Sequence, residues 1–217
     1  MKLSKILKKH GNQYHKRNIS EYKNKKFSEE KYLLNLMKPI CQEYDIENML
    51  EIGCGSGFTL DYLNKGLALN AYGVDPSDDA IKLGREFFPK LNLIEGVSFD
   101  LSMFEDHSFD YIHLGFFMYL LDEDHRIKTV SEVTRILKNY GFLSIFDFDT
   151  PYIITKKYDH GLVENIYKLD QSYLFTKSSC FTLIDKKSFS TANSYFDKNV
   201  EERMSIQLLF REDSKVN

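Results

Sequence analysis

Three closely spaced glycines follow an apolar segment that ends in an acid, and this stretch is the one best suited to contacting a ligand. Residues 49–58 read Met-Leu-Glu-Ile-Gly-Cys-Gly-Ser-Gly-Phe. Glycine adopts the positive φ values of a tight turn and lets a ligand contact bare backbone. The N-terminus of a following helix adds N–H groups that face such a ligand. The stretch therefore predicts a buried strand, a tight turn and a helix N-terminus.

The spacing of these glycines separates two kinds of cofactor. A dinucleotide fingerprint requires Gly-x-Gly-x-x-Gly, whose third glycine would fall at position 58, where this chain has Phe58. Here the third glycine comes one residue earlier, which gives Gly53, Gly55 and Gly57. The spacing therefore disfavours a nicotinamide dehydrogenase.

The glycine loop belongs to a series of alternating strands and helices. Apolar runs predict strands over residues 48–52, 71–74, 91–95, 109–114, 142–148 and 205–210. Helical spacing predicts helices over residues 28–44, 58–65, 79–88 and 124–137. Such alternation specifies a parallel sheet covered on both faces, with the carboxyl ends of its strands at one edge. Glu51, Asp75, the loop after Glu95 and the end of the fourth strand are predicted to meet there.

Four segments, in this order, resemble the landmarks of a known enzyme family. They read Leu-Glu-Ile-Gly-Cys-Gly-Ser-Gly at 50–57, Gly-Val-Asp-Pro-Ser at 73–77, Ser-Phe-Asp-Tyr-Ile at 108–112 and Arg-Ile-Leu-Lys-Asn-Tyr-Gly-Phe-Leu at 135–143. Together they resemble class I S-adenosylmethionine (SAM) dependent methyltransferases. The resemblance implies an α/β fold with a Rossmann-like, doubly wound, mostly parallel seven-stranded sheet and helices on both faces. It also implies SAM as the cofactor and S-adenosylhomocysteine as the product.

The same resemblance implies which residues contact SAM. The carboxylate of Asp75 is expected to accept hydrogen bonds from the ribose hydroxyls, and the glycine loop with Glu51 to bind the amino-acid tail. Val97 stands where many relatives carry an acid that meets the adenine amino group, so Ser98, backbone or Asp100 takes over that contact. The cofactor-binding residues implied are Glu51, Gly53, Cys54, Gly55, Gly57, Asp75, Pro76, Ser98, Phe99 and Phe116.

The acceptor is expected at the end of the fourth strand, where residues 114–119 read Leu-Gly-Phe-Phe-Met-Tyr. Enzymes that methylate base amines often carry Asn or Asp, two prolines and an aromatic residue here, and cytosine C5 enzymes carry a Pro-Cys pair. This chain has neither pattern. Aromatic and apolar residues instead favour a pocket for a small molecule.

Few residues are obligatory for the transfer itself, because SAM is already an activated methyl donor. Alignment of the acceptor and removal of its proton are the tasks left to the protein. The expected catalytic residues are Tyr119, Asp147 and Asp149, of which Asp149 is equally well explained as a turn residue. We expect transfer to an O or N atom of a small molecule, including a sugar or surface-glycan intermediate.

Charge is distributed unevenly along the chain. The first 40 residues carry 11 basic and 3 acidic side chains, or +8, within a whole-chain charge of −3, which leaves −11 for the remainder. This basic arm supports one alternative, an RNA methyltransferase. The pI of 6.1 favours a solvated helix and makes a nucleic-acid partner the less favoured interpretation. A second alternative is a catalytically inactive SAM-binding partner protein.

The chain divides into two predicted parts. Residues 1–45 are expected to form a basic helical segment that closes as a lid over SAM near Tyr22, or that stays mobile. Residues 46–217 are expected to form the methyltransferase domain. Within it, residues 151–200 are expected to shape the acceptor site, form a homodimer surface or join the core, through Tyr167, Asp170, Tyr173 and Phe175.

Composition sets the remaining expectations. The cysteines at 41, 54 and 180 show no metal-ligand or disulfide spacing, and the longest nearly apolar run, residues 111–121, is too short to span a bilayer. Residues 1–26 lack the apolar core of a secretory signal. We therefore expect a cytoplasmic protein with no metal and no membrane contact.

Overall fold

The computed structural model describes residues 3–18, 29–158, 162–177, 180–192 and 195–213. The predicted lid residue Tyr22 lies outside these ranges. Helices in the described ranges are α1 (Leu3–Asn18), α2 (Glu29–Glu43), α3 (Phe58–Leu67), α4 (Asp78–Phe87), α5 (Glu123–Ile136) and α6 (Ser172–Thr176). The strands there are β1 (Asn48–Ile52), β2 (Asn70–Asp75), β3 (Asn92–Glu95), β4 (Phe109–Gly115), β5 (Leu137–Phe148), β6 (Ile154–Lys157), β7 (Asn165–Lys168), β8 (Phe181–Phe189) and β9 (Met204–Arg211).

Seven of these strands form one sheet in the order β3-β2-β1-β4-β5-β9-β8. Strands β1 to β5 are parallel, and β9 runs antiparallel to both of its neighbours. β6 and β7 pair separately as a two-stranded sheet. This topology confirms the predicted doubly wound, mostly parallel seven-stranded sheet.

Alternate residues of the central strands enter different hydrophobic clusters, because successive side chains of a strand point to opposite faces. Leu50 and Ile112 lie in one cluster, whereas Met49 and Tyr111 lie in the other. All four are fully buried. The central strands are therefore covered on both faces, as the continuous apolar runs predicted.

Side-chain caps fix where two helices begin. The hydroxyl of Ser77 accepts a hydrogen bond from the N–H of Ala80 at the start of α4, at 3.1 Å. Asp122 caps α5 by accepting from the N–H of His125 at 3.0 Å. Such caps satisfy N–H groups that have no partner within the helix. The cap at Ser77 also places the end of β2 against the start of α4.

One predicted boundary differs from the structure. The predicted helix ended at residue 137 and the predicted fifth strand began at residue 142, but β5 already begins at Leu137. The strand bulges there, with Tyr140 at a φ of 64° and a register shift against β4. On α5, Ile127 is 55% exposed, whereas Arg126 is buried.

Candidate functional site

A cavity of about 480 Å³ opens at the edge of the sheet where β1, β2 and β4 end. Parallel strands bring their carboxyl ends to one edge, and this edge is where open α/β sheets bind ligands. Residues from the glycine loop, the end of β2, the turn after β3 and the end of β4 line the cavity together. The predicted meeting point of these four segments is thus present.

The glycine loop turns with positive φ values at Gly53, Gly55 and Gly57, of 78°, 52° and 81°. The N–H of Gly53 donates to the carbonyl of Val74 at 2.8 Å, which holds the loop against β2. A Cβ at position 53 would lie 2.7 Å from the ring of Phe117. Position 53 therefore requires glycine both for its conformation and for its space.

Asp75 ends β2 beside this loop and is half-buried. Its carboxylate accepts hydrogen bonds from the N–H groups of Gly55, at 2.9 Å, and Ser77, at 2.8 Å. Burial raises the pKa of Asp75 from 3.8 to about 6, although both hydrogen bonds act to lower it. Each oxygen keeps a free lone pair, so the carboxylate can accept further hydrogen bonds from hydroxyl groups in the cavity.

Glu51 is 3% exposed and carries an oxygen, Oε2, without a hydrogen-bond partner among the described residues. Burial, with the nearby charges of Glu30 and Asp75, raises the pKa of Glu51 well above its usual value. Its Oε1 lies 3.2 Å from where a Cβ would stand on Gly115, so that glycine provides the space for the carboxylate. A buried carboxylate with a free oxygen suits a cationic group in the cavity.

The turn after β3 forms another part of the cavity lining. Val97 and Ser98 line the cavity. The hydroxyl of Ser98 shares a hydrogen bond with the hydroxyl of Thr129, at 2.8 Å. Phe99 is not among the lining residues, because its ring packs edge-on against His125 with the centroids 4.5 Å apart.

Most of the predicted cofactor-binding residues surround the cavity. Those that line it are Glu51, Gly53, Cys54, Gly55, Asp75, Pro76, Ser98 and Phe116. Gly57 and Phe99 do not. Gly57 instead faces the side chain of Leu91, 3.2 Å from where its Cβ would stand, so it serves the turn and the packing beneath it.

Aromatic side chains form another part of the cavity lining, which we call the aromatic wall: Phe116, Phe117, Tyr119, Phe146 and Phe189. The rings of Phe116 and Phe146 are stacked at 4.8 Å, and Phe116 lies 5.0 Å from Tyr119. Phe116 has a φ of 55°, a conformation that bulky residues rarely adopt. Such strain persists where the surroundings fix it, and it is often found at functional sites.

Two of the three predicted catalytic residues lie outside the cavity. Asp147 is 2% exposed and accepts hydrogen bonds from the N–H groups of Tyr119, at 3.3 Å, and Phe148, at 2.7 Å. Burial raises its pKa to about 7. Asp149 pairs with Lys186 at 2.7 Å. Both carboxylates therefore hold neighbouring segments in place, and Tyr119 alone of the three lines the cavity.

The N-terminal helix α1 lines one side of the cavity. The sequence analysis predicted a lid in this part of the chain but named none of the α1 residues that line the cavity. Its lining residues recur at helical spacing: Leu7, His10, Gly11, Tyr14 and His15. The imidazole of His15 lies 3.2 Å from the hydroxyl of Ser56 in the glycine loop. The spacing of these residues on one face of α1 was visible in the sequence, but the surface that this face would contact was not.

Polar contacts fasten α1 to α4 and β3. Lys8 pairs with Asp78 at 3.1 Å and with Glu95 at 2.7 Å. The amide of Asn12 donates to Asp78 at 2.9 Å and accepts from the hydroxyl of Ser77 at 2.6 Å. These contacts join residues 65 or more positions apart in the chain.

The C-terminal third contributes other residues than those predicted. Phe189, Ser190, Thr191 and Met204 line the cavity, whereas the four candidates Tyr167, Asp170, Tyr173 and Phe175 do not. Phe175 is fully buried in the core, and Tyr173 is 54% exposed. The strand β9, inserted between β5 and β8, brings Met204 to the cavity.

Among the residues that the structure describes, no group of three potential metal-binding side chains occurs. A membrane-spanning helix would need a longer apolar stretch than any described helix has.

Comparisons with known proteins place this geometry in context. Residues 50–145 match a family model described as a methyltransferase domain. A ubiquinone/menaquinone biosynthesis C-methyltransferase from Campylobacter jejuni is 24% identical over 173 residues, covering 64% of this chain and 72% of that protein. A demethylmenaquinone methyltransferase from Staphylococcus aureus is 28% identical over 134 residues, covering 59% and 54%.

Solved structures show the same fold. The 1,6-didemethyltoxoflavin-N1-methyltransferase of Burkholderia thailandensis, with bound S-adenosylhomocysteine, has a TM-score of 0.68 at 11% identity and covers 93% of this chain and 84% of that chain. A sarcosine dimethylglycine methyltransferase structure from Galdieria sulphuraria has a TM-score of 0.65 at 14% identity and covers 85% of each chain.

Proposed function

Because this chain is a class I SAM-dependent methyltransferase, we propose that it methylates a small, planar, largely apolar acceptor that lies against the aromatic wall. SAM, when bound, supplies an electrophilic methyl group carried on a positively charged sulfur. The chain's own residues bind this donor, orient the acceptor and exclude water from both.

The residues present fit SAM. The free oxygen of Glu51 provides an acceptor for the ammonium group, and the carboxylate of Asp75 retains lone pairs for the ribose hydroxyls. The backbone of the loop from Gly53 to Gly57, which precedes the N-terminus of α3, suits the carboxylate of the amino-acid tail. The turn with Val97 and Ser98, which also lines the cavity, would then contact the adenine.

The aromatic wall is the observation that supports the proposed class of acceptor. Five rings, from the segment after β4, from β5 and from β8, line the cavity. Stacked and edge-on contacts with such rings favour a flat, apolar ligand. A sugar or surface-glycan intermediate would need many hydrogen-bond partners, which this wall does not offer. The names of the relatives also point to quinone rings.

We propose that α1 serves as the lid over the donor. Five of its residues line the cavity, and its contacts to Ser56, Ser77 and Asp78 reach both the glycine loop and the end of β2. A lid excludes water and completes the site around the bound ligand. The same contacts reduce support for an RNA methyltransferase, because Lys8 and Lys16 of the basic arm pair with acids of this domain.

Two successive measurements test the proposal. The first is calorimetric titration with SAM and S-adenosylhomocysteine, with NAD as a control. We expect binding of both SAM compounds and none of NAD. The second is the release of S-adenosylhomocysteine with four acceptor probes: 1,4-naphthohydroquinone, 2-naphthol, a methyl glucoside and unmodified transfer RNA.

Turnover with either naphthalene compound, without turnover of the glucoside or RNA, is the expected result. Turnover confined to the glucoside or the RNA would overturn the aromatic-acceptor proposal. Binding of SAM with no turnover of any probe would favour a SAM-binding partner protein.

A further inference from the structure

One histidine in the cavity has no role in the contacts described so far. His10 of α1 lines the cavity and is 3% exposed. Neither of its ring nitrogens has a hydrogen-bond partner among the residues that the structure describes. Buried polar groups nearly always have such a partner. A bound molecule in the cavity is therefore the expected partner of His10.

The neighbours of His10 place it at the aromatic wall. Its ring centroid lies 5.4 Å from that of Tyr158. Tyr158 is hydrogen-bonded to Tyr119, which belongs to the wall and lies 5.0 Å from Phe116. The other cavity histidine of α1, His15, contacts the glycine loop instead. The two histidines therefore contact different parts of the site.

The environment keeps His10 uncharged. Burial lowers the pKa of His10 to about 4, and the charge of Arg17 lowers it further. The phenol ring of Tyr158 packs against His10, and Tyr158, Tyr14 and Asp147 interact electrostatically with Tyr119. A neutral imidazole carries one N–H and one nitrogen with a lone pair, so it can accept a hydrogen bond from a hydroxyl group. It can then take the proton while the methyl group is being transferred, when that hydroxyl is far more acidic.

We propose that His10 is the base that takes the proton of a ring hydroxyl on the acceptor. The proposal rests on the aromatic acceptor proposed above and narrows it to a hydroxylated ring. The O–H bond breaks with its electron pair staying on oxygen, and a new N–H bond forms at the ring nitrogen of His10. The anionic oxygen, and the ring carbons conjugated with it, thereby become stronger nucleophiles.

The test uses the full chain and the substitution His10→Gln, which keeps a polar side chain but removes the base. The matched control is His107→Asn, an exposed histidine outside the cavity whose φ of 55° suits asparagine. Unchanged affinity for S-adenosylhomocysteine and an unchanged melting temperature show that each variant is folded.

The first readout needs no turnover. Histidines labelled with ¹⁵N are observed by NMR in the S-adenosylhomocysteine complex while 2-naphthol is added. We expect the His10 signals to shift on addition and those of His107 to stay in place. Binding of 2-naphthol without a shift at His10 would overturn the proposal, and so would a failure of 2-naphthol to bind at all.

The second readout is the pH dependence of 2-naphthol methylation. The rate of the wild type should be nearly flat between pH 6 and 9, because His10 stays neutral and removes the proton itself. The rate of His10→Gln should be low at pH 7 and rise about tenfold per pH unit, since only naphthol ionised in solution then reacts. A flat profile in His10→Gln would overturn the proposal.

A thiol probe separates this proposal from the proposed function. 2-Naphthalenethiol ionises without help at pH 8, so its methylation needs the aromatic wall but not His10. Methylation of this thiol by wild type and variant alike, with slow naphthol methylation by the variant, supports the role of His10. Equal naphthol rates overturn that role alone. No methylation of either probe by a wild type that binds SAM overturns the aromatic acceptor and the role of His10 together.

Discussion

The carboxylate of Asp75 holds the glycine loop against the end of β2. It is half-buried and accepts hydrogen bonds from two backbone N–H groups. Each hydrogen bond from a ribose hydroxyl to a charged carboxylate would contribute about 1.5–3 kcal/mol. Under the proposed function, one side chain therefore sets both the shape of the loop and a share of the affinity for SAM.

Replacing Asp75 by Asn should weaken the binding of S-adenosylhomocysteine by about tenfold or more at pH 7.5, because the amide offers one acceptor oxygen and no charge. The wild type should also bind more tightly at pH 7.5 than at pH 5. The pKa of Asp75 is about 6, so the carboxylate that the hydroxyls prefer is lost as pH falls through that value. Calorimetric titration at both pH values measures the two effects.

The control is Asp61→Asn on α3, whose carboxylate pairs with Lys65 outside the cavity. Wild-type affinity in Asp75→Asn at pH 7.5 would refute the ribose assignment. Glu51 also titrates near the ligand, so some pH dependence should remain in the variant.

Sequence reasoning located residues of the cavity lining best in the first half of the chain. The glycine loop, Glu51 and Asp75 were predicted at one edge of the sheet, where they line the cavity, because their backbone and charge requirements are local. Asp147 and Asp149, which were predicted to be catalytic, lie outside the cavity for a non-local reason. Both end β5, but β9 and β8 pack beside it and occupy those carboxylates with contacts of their own.

At the scale of elements, α1 is held over the cavity by polar contacts with α4. Asn12 is central to them, since its amide both donates to Asp78 and accepts from Ser77. We predict that Asn12→Ala speeds the dissociation of S-adenosylhomocysteine by about three- to tenfold, the equivalent of about one hydrogen bond. Surface plasmon resonance on the immobilised protein measures this rate.

Lys9→Ala is the matched control, because Lys9 lies on the exposed face of the same helix. Its dissociation rate should equal that of the wild type. Equal rates for Asn12→Ala and the wild type would show that α1 does not retain the ligand.

The end of α3 offers a test of local geometry far from any ligand. Ala68 caps this helix with a φ of 58° and is exposed. Glycine adopts this left-handed conformation without the penalty that a Cβ brings. Ala68→Gly should therefore raise the free energy of unfolding by about 0.5–1 kcal/mol, measured by urea denaturation.

An alanine-to-glycine substitution within a right-handed helix should instead lower the free energy of unfolding. Ala80 lies inside α4 and is buried, so Ala80→Gly should lower the free energy of unfolding by about 1 kcal/mol or more. A stability loss in both variants would contradict the assigned cap of α3.

Elements were predicted well where periodicity was strong and missed where tertiary contacts decide. β1 begins and ends as predicted, because an unbroken apolar run is followed by glycine. β5 begins five residues earlier than expected, since the bulge at Tyr140 looks like a turn in the sequence. The position of α1 depends on partners such as Asp78, 66 residues away from Asn12, which no local pattern reveals.

At the scale of the whole molecule, Arg211 ties the last strand to the centre of the sheet. Its guanidinium donates to the carbonyls of Thr134 and Leu137, where α5 passes into β5, and it pairs with Asp213 at 2.7 Å. Arginine can serve all three acceptors because its five N–H groups are fixed in one plane. The residue is 6% exposed, so unpaired carbonyls left by its loss would stay dry.

Arg211→Lys should therefore lower the free energy of unfolding by about 2 kcal/mol, because an ammonium group cannot reach all three partners. Urea denaturation with an unchanged m-value measures the loss. Arg203→Lys is the control, since Arg203 is partly exposed and donates to the carbonyl of Asp197, so its replacement should cost less. Equal losses in the two variants would contradict this account of Arg211.

The aromatic wall and the donor-binding loop come from different stretches of the chain, and this separation has an evolutionary consequence. Residues 51–98 supply the groups proposed to hold SAM, whereas Phe189, Ser190, Thr191 and Met204 line the cavity from β8, β9 and the segment between them, where the acceptor is proposed to lie. Substitutions in the second set can change acceptor preference while the affinity for SAM stays constant. Divergence of substrate among related enzymes would then be concentrated in β8, β9 and the segment between them.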